Sequence, residues 1–283
     1  MKIVVTGGKG LLGTDLTQII KQKGYEVFSF GKAELDVTNF DKVYKAFQEA
    51  EPDVVIHAAA FTNVDLAERE QDLAYLINGI GTRNVAVLSE KVGAKLMFIS
   101  TDYVFDGEKN RPYNEFDVPK PLNIYGHSKL LAETFVKQFH SKWFIVRTSW
   151  LFGEKGLNFV KTMIKLAKEK KNIQVVNDQI GSPTYTKDLS EKLIELMVTE
   201  KYGVYHISNA GECSWFQFAN QILNEAGYTD IKIIPCTTKE INRQAKRPHY
   251  SVLDNFALRL NGFAGLRSWE EALKEYMVNN RGH

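Results

Sequence analysis

Cysteine is scarce in this chain, and long apolar runs are missing. Only two of the 283 residues are cysteines, Cys213 and Cys236, so we expect neither a disulfide framework nor a cysteine-ligated metal site. No apolar run approaches the roughly 20 residues that a membrane helix needs, so we expect no membrane partner. The apolar start of the chain stops at Gly7, which is too early for a signal peptide and predicts a cytoplasmic protein.

The chain also lacks a large excess of charge of either sign. The 36 Lys and Arg residues nearly balance the 34 Asp and Glu residues, which gives a net charge of +2. A nucleic-acid-binding protein usually concentrates basic residues, so we predict no nucleic-acid partner. A hydrophobic content of 44% over this length is enough for one large α/β domain, or for one domain with a smaller lobe.

Short apolar runs alternate with helical patterns in the first half of the chain. The runs cover residues 3–5, 27–30, 54–56, 96–99 and 143–146, and the clearest helical stretches cover 11–21 and 39–49. Continuous apolar strands separated by helices indicate a parallel sheet covered on both faces. Right-handed crossovers then give an α/β, doubly wound fold over residues 1–153.

The pattern loosens after about residue 150. Helices are predicted near 158–171, 187–198, 215–226 and 269–276, with a short strand near 204–206. We expect residues 154–283 to form mainly a smaller C-terminal lobe, with segments that return to the core. Such a lobe would lie against the carboxyl edge of the sheet, where open α/β folds bind ligands.

A glycine-rich turn directly follows the first strand and opens the first helix. Gly7, Gly10 and Gly13 surround Leu11 and Leu12 in this turn. Glycine allows a tight turn, close approach of the backbone to a diphosphate, and packing of helix against strand. The helix N-terminus then offers N–H groups to the phosphates. The turn therefore predicts a Rossmann-like dinucleotide-binding domain.

The end of the second strand bears on the choice of dinucleotide. NAD-specific sites usually carry an acidic residue there to hold the ribose 2′-hydroxyl. The strand runs instead into Ser29-Phe30-Gly31-Lys32, with a cation and no adjacent acid. We predict NADPH as the cofactor, leave NADH open, and expect Asp36 to lie at the adenine.

Tyr125 and Lys129 have a spacing that places both side chains on one face of a helix. A neighbouring ammonium would lower the pKa of a phenol, ordinarily about 10, towards the working range of a proton donor. The same spacing recurs at Tyr228 and Lys232. That pair leads into a strand-like segment, where the two side chains do not share a face, and we interpret it as structural.

Four features in this order resemble the extended short-chain dehydrogenase/reductases: the glycine turn, HAAA (57–60), STDYVFDG (100–107) and the Tyr125/Lys129 helix. Within that family, HAAAFTNVD (57–65), RTSWLFG (147–153) and DQIGSPT (178–184) resemble the dTDP-4-dehydrorhamnose reductases. The resemblance covers essentially the whole chain.

The resemblance implies a role for each matching residue. Thr101 would hydrogen-bond the substrate carbonyl, Tyr125 would donate the proton, and Lys129 would hold the nicotinamide ribose and tune Tyr125. Trp150 would offer a flat apolar face to the sugar, and Arg247 would clamp the nucleotide diphosphate. The implied cofactor set is Gly7, Gly10, Leu11, Leu12, Gly13, Lys32, Asp36, Ala58, Ala59, Ala60, Thr62, Tyr125 and Lys129, and the implied substrate set is Asp102, Tyr103, Trp150 and Arg247.

Position 103 separates reductases from dehydratases in the family. The dehydratases carry Asp-Glu after the threonine, whereas this chain carries Asp102-Tyr103. The resemblance therefore implies reduction of dTDP-4-dehydro-L-rhamnose to dTDP-L-rhamnose. Two alternatives stay open at this point: a non-catalytic regulatory subunit of methionine adenosyltransferase, and an epimerase that recycles its cofactor.

Members of the family have also been linked to magnesium at a subunit contact. No acidic cluster in the sequence supports such a site, so we name no metal ligand, and both Mg²⁺ and a homodimer stay open.

Overall fold

The five apolar runs of the first half form strands, and further short strands follow in the second half. The structure, a computed structural model, describes residues 1–280. In chain order the strands are β1 (Lys2–Thr6), β2 (Glu26–Phe30), β3 (Val54–His57), β4 (Lys95–Thr101), β5 (Trp143–Thr148), β6 (Leu151–Phe152), β7 (Asn172–Val176), β8 (Ile180–Gly181), β9 (Thr184–Tyr185), β10 (Gly203–His206), β11 (Cys213–Ser214) and β12 (Lys232–Cys236).

The central sheet is parallel throughout. Its strands pair in the order β10-β5-β4-β3-β1-β2. The order reverses between β1 and β3, which is where doubly wound folds open a crevice at the carboxyl ends of the strands. The predicted α/β, doubly wound fold is confirmed.

Helices connect the strands and cover the sheet. They are α1 (Leu11–Gln22), α2 (Phe40–Ala50), α3 (Val64–Arg69), α4 (Gln71–Ala74), α5 (Thr82–Lys91), α6 (Ile124–Phe139), α7 (Phe159–Glu169), α8 (Thr186–Met197), α9 (Trp215–Glu225), α10 (Phe256–Leu260) and α11 (Trp269–Asn279). A π-helix (Tyr75–Gly81) joins α4 to α5, and a 3-10 turn (Asp102–Val104) follows β4.

Alternate side chains of each strand face opposite layers, as a two-sided core requires. Ile3 and Val5 of β1 pack with α1 and α8, whereas Val4 packs with α2, α5 and α6. Both faces of the sheet are therefore buried, which explains why the strands read as continuous apolar runs.

A separate apolar cluster holds the second lobe together. It contains Phe152, Tyr185, Phe218, Trp269 and Tyr276, contributed by β6, β9, α9 and α11. The parallel pair β7 and β12 packs on the same cluster through Ile173. This lobe lies beyond the carboxyl end of β5, because β6 follows that strand almost directly.

Two segments of residues 154–283 belong to the main sheet rather than to the lobe. Strand β10 pairs with β5, with Gly203 opposite Phe144, and α8 packs against α1. The short strand that the sequence predicts near residues 204–206 is thus the sixth strand of the core. None of the helices within residues 1–280 combines the length and the apolar character needed to cross a bilayer.

Candidate active site

A cavity of about 810 Å³ lies at the carboxyl edge of the sheet, between the main domain and the lobe. The glycine turn, the segment after β3, the end of β4 and the start of α6 form its walls, and Trp150 and Trp215 close the lobe side. The predicted site residues that line it are Gly7, Gly10, Leu11, Leu12, Gly13, Lys32, Asp36, Ala58, Ala59, Ala60, Thr62, Thr101, Asp102, Tyr103, Tyr125, Lys129 and Trp150. Residues predicted from motifs about 140 positions apart therefore share one space.

The glycine turn has the geometry that its sequence predicts. Gly7 has a φ of +69°, and a Cβ there would lie 2.6 Å from the backbone N of Ala59. A Cβ on Gly13 would lie 2.2 Å from the carbonyl oxygen of Gly7. Within residues 1–280 no side chain caps the start of α1, whose N-cap residue is Gly10. The first N–H groups of α1 thus remain suited to an anionic group.

The end of β2 differs from the sequence-based expectation. Glu34 folds back, so that its Oε2 accepts a 2.7 Å hydrogen bond from the backbone N of Gly31, and its Oε1 pairs with Lys9. Residues 29–32 carry no acid, as the sequence indicates, but Glu34, which sequence reasoning missed, reaches the N of Gly31 from three residues further along a tight turn. Asp36, which lines the cavity, accepts hydrogen bonds from the N and Oγ1 of Thr38 at 3.0 and 2.8 Å.

The segment after β3 is fixed by a residue that sequence reasoning missed. Asn78, fully buried in the π-helix, accepts from the N of Phe61 at 2.7 Å and donates to its carbonyl at 3.1 Å. The Asn78 amide also donates to Ser128 Oγ at 2.9 Å, which ties the alanine segment to α6. π-Helical turns are frequent at functional sites, but the sequence carries no periodic signal for one.

His57 lies at the end of β3 and is buried. Its Nδ1 and Nε2 are 2.6 and 3.0 Å from the hydroxyl oxygens of Thr6 and Thr82. Burial lowers the pKa of His57 to about 3, with a smaller effect from Lys129. The ring is neutral and fully engaged, as expected for a structural histidine.

Helix α6 presents Tyr125 and Lys129 to the cavity one turn apart. The helix begins after Asn123, whose Oδ1 accepts from the N of Gly126 at 2.8 Å. Asn123 Nδ2 donates to the carbonyl of Lys246 at 2.8 Å, which anchors the same cap to the C-terminal half. The cap residue Asn123 is thus held through both the oxygen and the nitrogen of its side-chain amide. This places Tyr125 in the first turn of a firmly anchored helix.

The electrostatics of this pair differ from the simple expectation. Burial raises the pKa of Tyr125 above 10, a contact with Thr101 acts in the opposite direction, and Asp102 adds to the increase. Burial lowers the pKa of Lys129 to about 7, with Glu133 acting in the opposite direction. The spacing predicted an acidified phenol, but desolvation dominates because both groups lie away from water.

Thr101, Asp102 and Tyr103 follow β4 in a 3-10 turn. Thr101 Oγ1 donates to Asp102 Oδ1 at 3.0 Å and accepts from the N of Tyr103 at 3.2 Å. Burial raises the pKa of Asp102 to about 6. The ring of Tyr103 meets that of Tyr125 edge to face, with 5.9 Å between centroids. Thr101, Asp102 and Tyr103 therefore lie beside Tyr125 on one side of the cavity.

Trp150 lines the cavity in an unusual backbone conformation, with a φ of +47°. Its indole stacks on that of Trp215, with 3.5 Å between centroids and 7° between planes. One face of Trp150 is thus covered by an aromatic ring. Sequence reasoning missed Trp215, for which the available signal was a tryptophan at the first position of a helix capped by Ser214.

Arg247 is not among the residues that line the cavity. Its NH1 and NH2 atoms donate to the two carboxylate oxygens of Asp65 at 3.1 and 2.8 Å, and its side chain is 9% exposed. Arg247 also contacts Tyr103, and these partners raise its pKa against the effect of burial. The role of diphosphate clamp stays a prediction.

Across residues 1–280, no group of three or more His, Cys, Asp or Glu side chains is arranged to hold a metal ion.

The parallel sheet, the glycine turn and the Tyr-x-x-x-Lys helix at one cavity define a class of protein. They are the features of an NAD(P)-dependent enzyme of the short-chain dehydrogenase/reductase type. The comparisons agree with this class and narrow it. The family described as RmlD substrate binding domain matches residues 1–281, and the chain belongs to that family.

Similar proteins are found in several bacteria. The spore coat polysaccharide biosynthesis protein SpsK of Bacillus subtilis is 46% identical over 276 residues, covering 98% of this chain and 96% of that protein. A dTDP-4-dehydrorhamnose reductase of Streptomyces griseus is 39% identical over 278 residues, covering 96% and 91%. A solved dTDP-4-dehydrorhamnose reductase of Bacillus anthracis in complex with NADP is 50% identical, with a TM-score of 0.96 over 99% and 100% of the two chains.

Proposed function

We propose that this enzyme reduces the 4-keto group of dTDP-4-dehydro-L-rhamnose with NADPH, giving dTDP-L-rhamnose. The observation that carries the proposal is the convergence of Thr101, Tyr125 and Lys129 with the glycine turn in one cavity. The names of the similar reductases, and the NADP held by the Bacillus anthracis protein, support the substrate and the cofactor.

The residues present fit a dinucleotide. The uncapped start of α1 suits the diphosphate, and Lys32 and Asp36 line the part of the cavity next to β2, where the adenosine would lie. Ala58, Ala59 and Ala60 leave room for the cofactor, and Lys129 would hold the nicotinamide ribose. When bound, the nicotinamide supplies hydride to the carbonyl carbon.

Tyr125 would supply the proton. Because burial raises its pKa, the phenol keeps its proton throughout the neutral range and can donate it from Oη to the 4-oxygen of the substrate. The contact with Thr101 lowers the same pKa, and the Thr101 hydroxyl would donate to the phenolate that forms by turning away from Asp102 Oδ1. The departing proton leaves a negative charge on Tyr125. Lys129, whose pKa is near 7, would offset that charge in its protonated form.

The sugar nucleotide would bind between the turn after β4 and the lobe. Asp102 and Tyr103 lie on one side of that space and Trp150 on the other. We assign residues 1–153 to the dinucleotide and most of 154–283 to the substrate. Arg247 would reach the diphosphate only by changing its contact with Asp65.

The two alternative functions, a regulatory subunit and an epimerase, predict different experimental results. The similar curated reductases favour catalysis over a regulatory role and over epimerisation. A regulatory subunit would co-purify with an adenosyltransferase and turn over no keto sugar, and an epimerase would not oxidise NADPH with net turnover. A cytoplasmic location and a homodimer stay predictions.

The test is an NADPH-oxidation assay against a panel of 4-keto nucleotide sugars. Tyr125→Phe should lower turnover of dTDP-4-dehydrorhamnose by about 10²- to 10⁴-fold while leaving NADPH binding unchanged. Tyr228→Phe is the matched control, because Tyr228 heads the second Tyr-x-x-x-Lys pair but packs in the lobe cluster. Near-normal turnover by Tyr125→Phe would overturn the mechanism, and preference for another sugar would change the substrate.

A further inference from the structure

Next to the end of β2, the carboxylate of Glu34 pairs with the ammonium of Lys9, which is a cavity-lining residue. The backbone N of Gly8 donates to the carbonyl of Phe30 at 2.9 Å, so the glycine turn lies directly beside this strand end. Lys9, Gly31 and Lys32 line the cavity there. In dinucleotide-binding folds this is where the adenosine ribose is recognised.

A tight turn brings the carboxylate of Glu34 back to the residue that follows β2. The backbone N atoms of Glu34 and Leu35 both donate to the carbonyl of Gly31, at 3.1 and 3.0 Å. The chain therefore folds back, and Glu34 Oε2 reaches the N of Gly31 at 2.7 Å. A Cβ on Gly31 would lie 2.8 Å from that oxygen and 3.0 Å from Lys9 Cδ. The absence of a side chain at position 31 is what allows both groups to meet.

The Lys9–Glu34 pair is accessible to a ligand. The side chains are 67% and 40% exposed, respectively. Exposed ion pairs contribute little to stability, so either partner can be exchanged for a ligand group at small cost. Contact with Lys9 is the largest effect that lowers the pKa of Glu34, and the hydrogen bond from Gly31 adds to it. Glu34 is consequently charged at neutral pH.

The two charges make opposite demands on the ribose. A carboxylate accepts a hydrogen bond from a 2′-hydroxyl and repels a 2′-phosphate, whereas an ammonium attracts the phosphate. We propose that Glu34 and Lys9 together set the choice between NADH and NADPH, with Glu34 moderating the preference for NADPH that Lys9 and Lys32 would otherwise give. The proposal rests on the dinucleotide site of the proposed function and does not depend on the sugar.

The experiment measures dissociation constants of NADPH and NADH by titration calorimetry, without a keto sugar. Glu34→Gln keeps an acceptor for the N of Gly31 and removes only the charge. It should tighten NADPH by about 3- to 10-fold and leave NADH unchanged or weaker. Lys9→Met should weaken NADPH by a similar factor and leave NADH within about twofold. Glu26→Gln, at the opposite end of β2 and exposed, is the matched control.

Salt gives a second readout. The gain of Glu34→Gln for NADPH should shrink as ionic strength rises, because exposed charges are screened. An equal change in both dissociation constants would overturn the proposal and make Glu34 a turn residue only. Failure of the enzyme to reduce the rhamnose precursor would leave these binding constants unaffected, so the two proposals fail separately.

Discussion

The Nζ atom of Lys129 donates a 2.7 Å hydrogen bond to the carbonyl oxygen of Ile99 and lies 4.1 Å from the centre of the Phe98 ring. Both partners belong to β4, the strand whose end carries Thr101. The ammonium is therefore positioned by the backbone of the sheet. The titratable and charged groups on the neighbouring elements are Glu133, Arg147 and the neutral His57.

The first prediction concerns the effect of pH on stability. The pKa of Lys129 falls from 10.5 to about 7 on folding, so between these values the unfolded chain binds more protons and stability rises with pH. From pH 7 to 8.5 we expect a gain of up to about 2 kcal/mol, before the buried cysteines and tyrosines begin to oppose it. Lys129→Met should flatten this dependence in urea unfolding, and Lys137→Met, on the exposed side of α6, should preserve it. A flat profile for the unmodified protein would contradict the shift.

The second prediction concerns the glycine turn. Gly7 and Gly24 both have positive φ, +69° and +80°, but an added Cβ meets backbone atoms only at Gly7. Gly24→Ala should cost about 1–2 kcal/mol, from conformation alone. Gly7→Ala should cost more and abolish dinucleotide binding, because the backbone of Ala59 has to move. Chemical unfolding and NADPH titration measure both effects, and equal costs would argue against the steric explanation.

The third prediction concerns the indole stack. Trp215→Leu removes the ring that covers Trp150 and should raise the KM for the keto sugar by about 2- to 10-fold, in line with aromatic stacking energies. The dissociation constant of NADPH should not change. Trp215→Phe keeps part of the stack and should give an intermediate KM. A change in NADPH binding equal to that in KM would mean that the lobe as a whole had shifted.

The fourth prediction separates the two roles open to Arg247. If it only joins α3 to the C-terminal segment, Arg247→Met and Asp65→Asn should have similar effects on stability, with a coupling energy of about 1 kcal/mol in a double-mutant cycle. If it also clamps the substrate, Arg247→Met alone should weaken dTDP binding. Equal dTDP affinity in the two variants would exclude the clamp.

Local patterns were sufficient for much of this architecture. The five strands, the glycine turn and the Tyr125/Lys129 helix depend on residues close in sequence, whose periodicity and spacing fix their geometry. Glu34 was missed because a turn, rather than strand position, brings it to the end of β2. The contact of Trp215 with Trp150 and the Arg247–Asp65 pair were missed because the partners lie 65 and 182 residues apart in sequence. The pKa of Tyr125 depends on burial, which spacing does not reveal.

The pairing of β10 with β5 has a consequence for fragments and chimeras. A chain cut after Gly153 would lose β10 and leave the backbone groups of Phe144 to Arg147 as an unpaired sheet edge. Helix α1 would also lose its packing partner α8. Exposed sheet edges of this kind promote aggregation. Transplanting the specificity of a relative by swapping the C-terminal half would therefore require residues 186–206 to stay with the recipient.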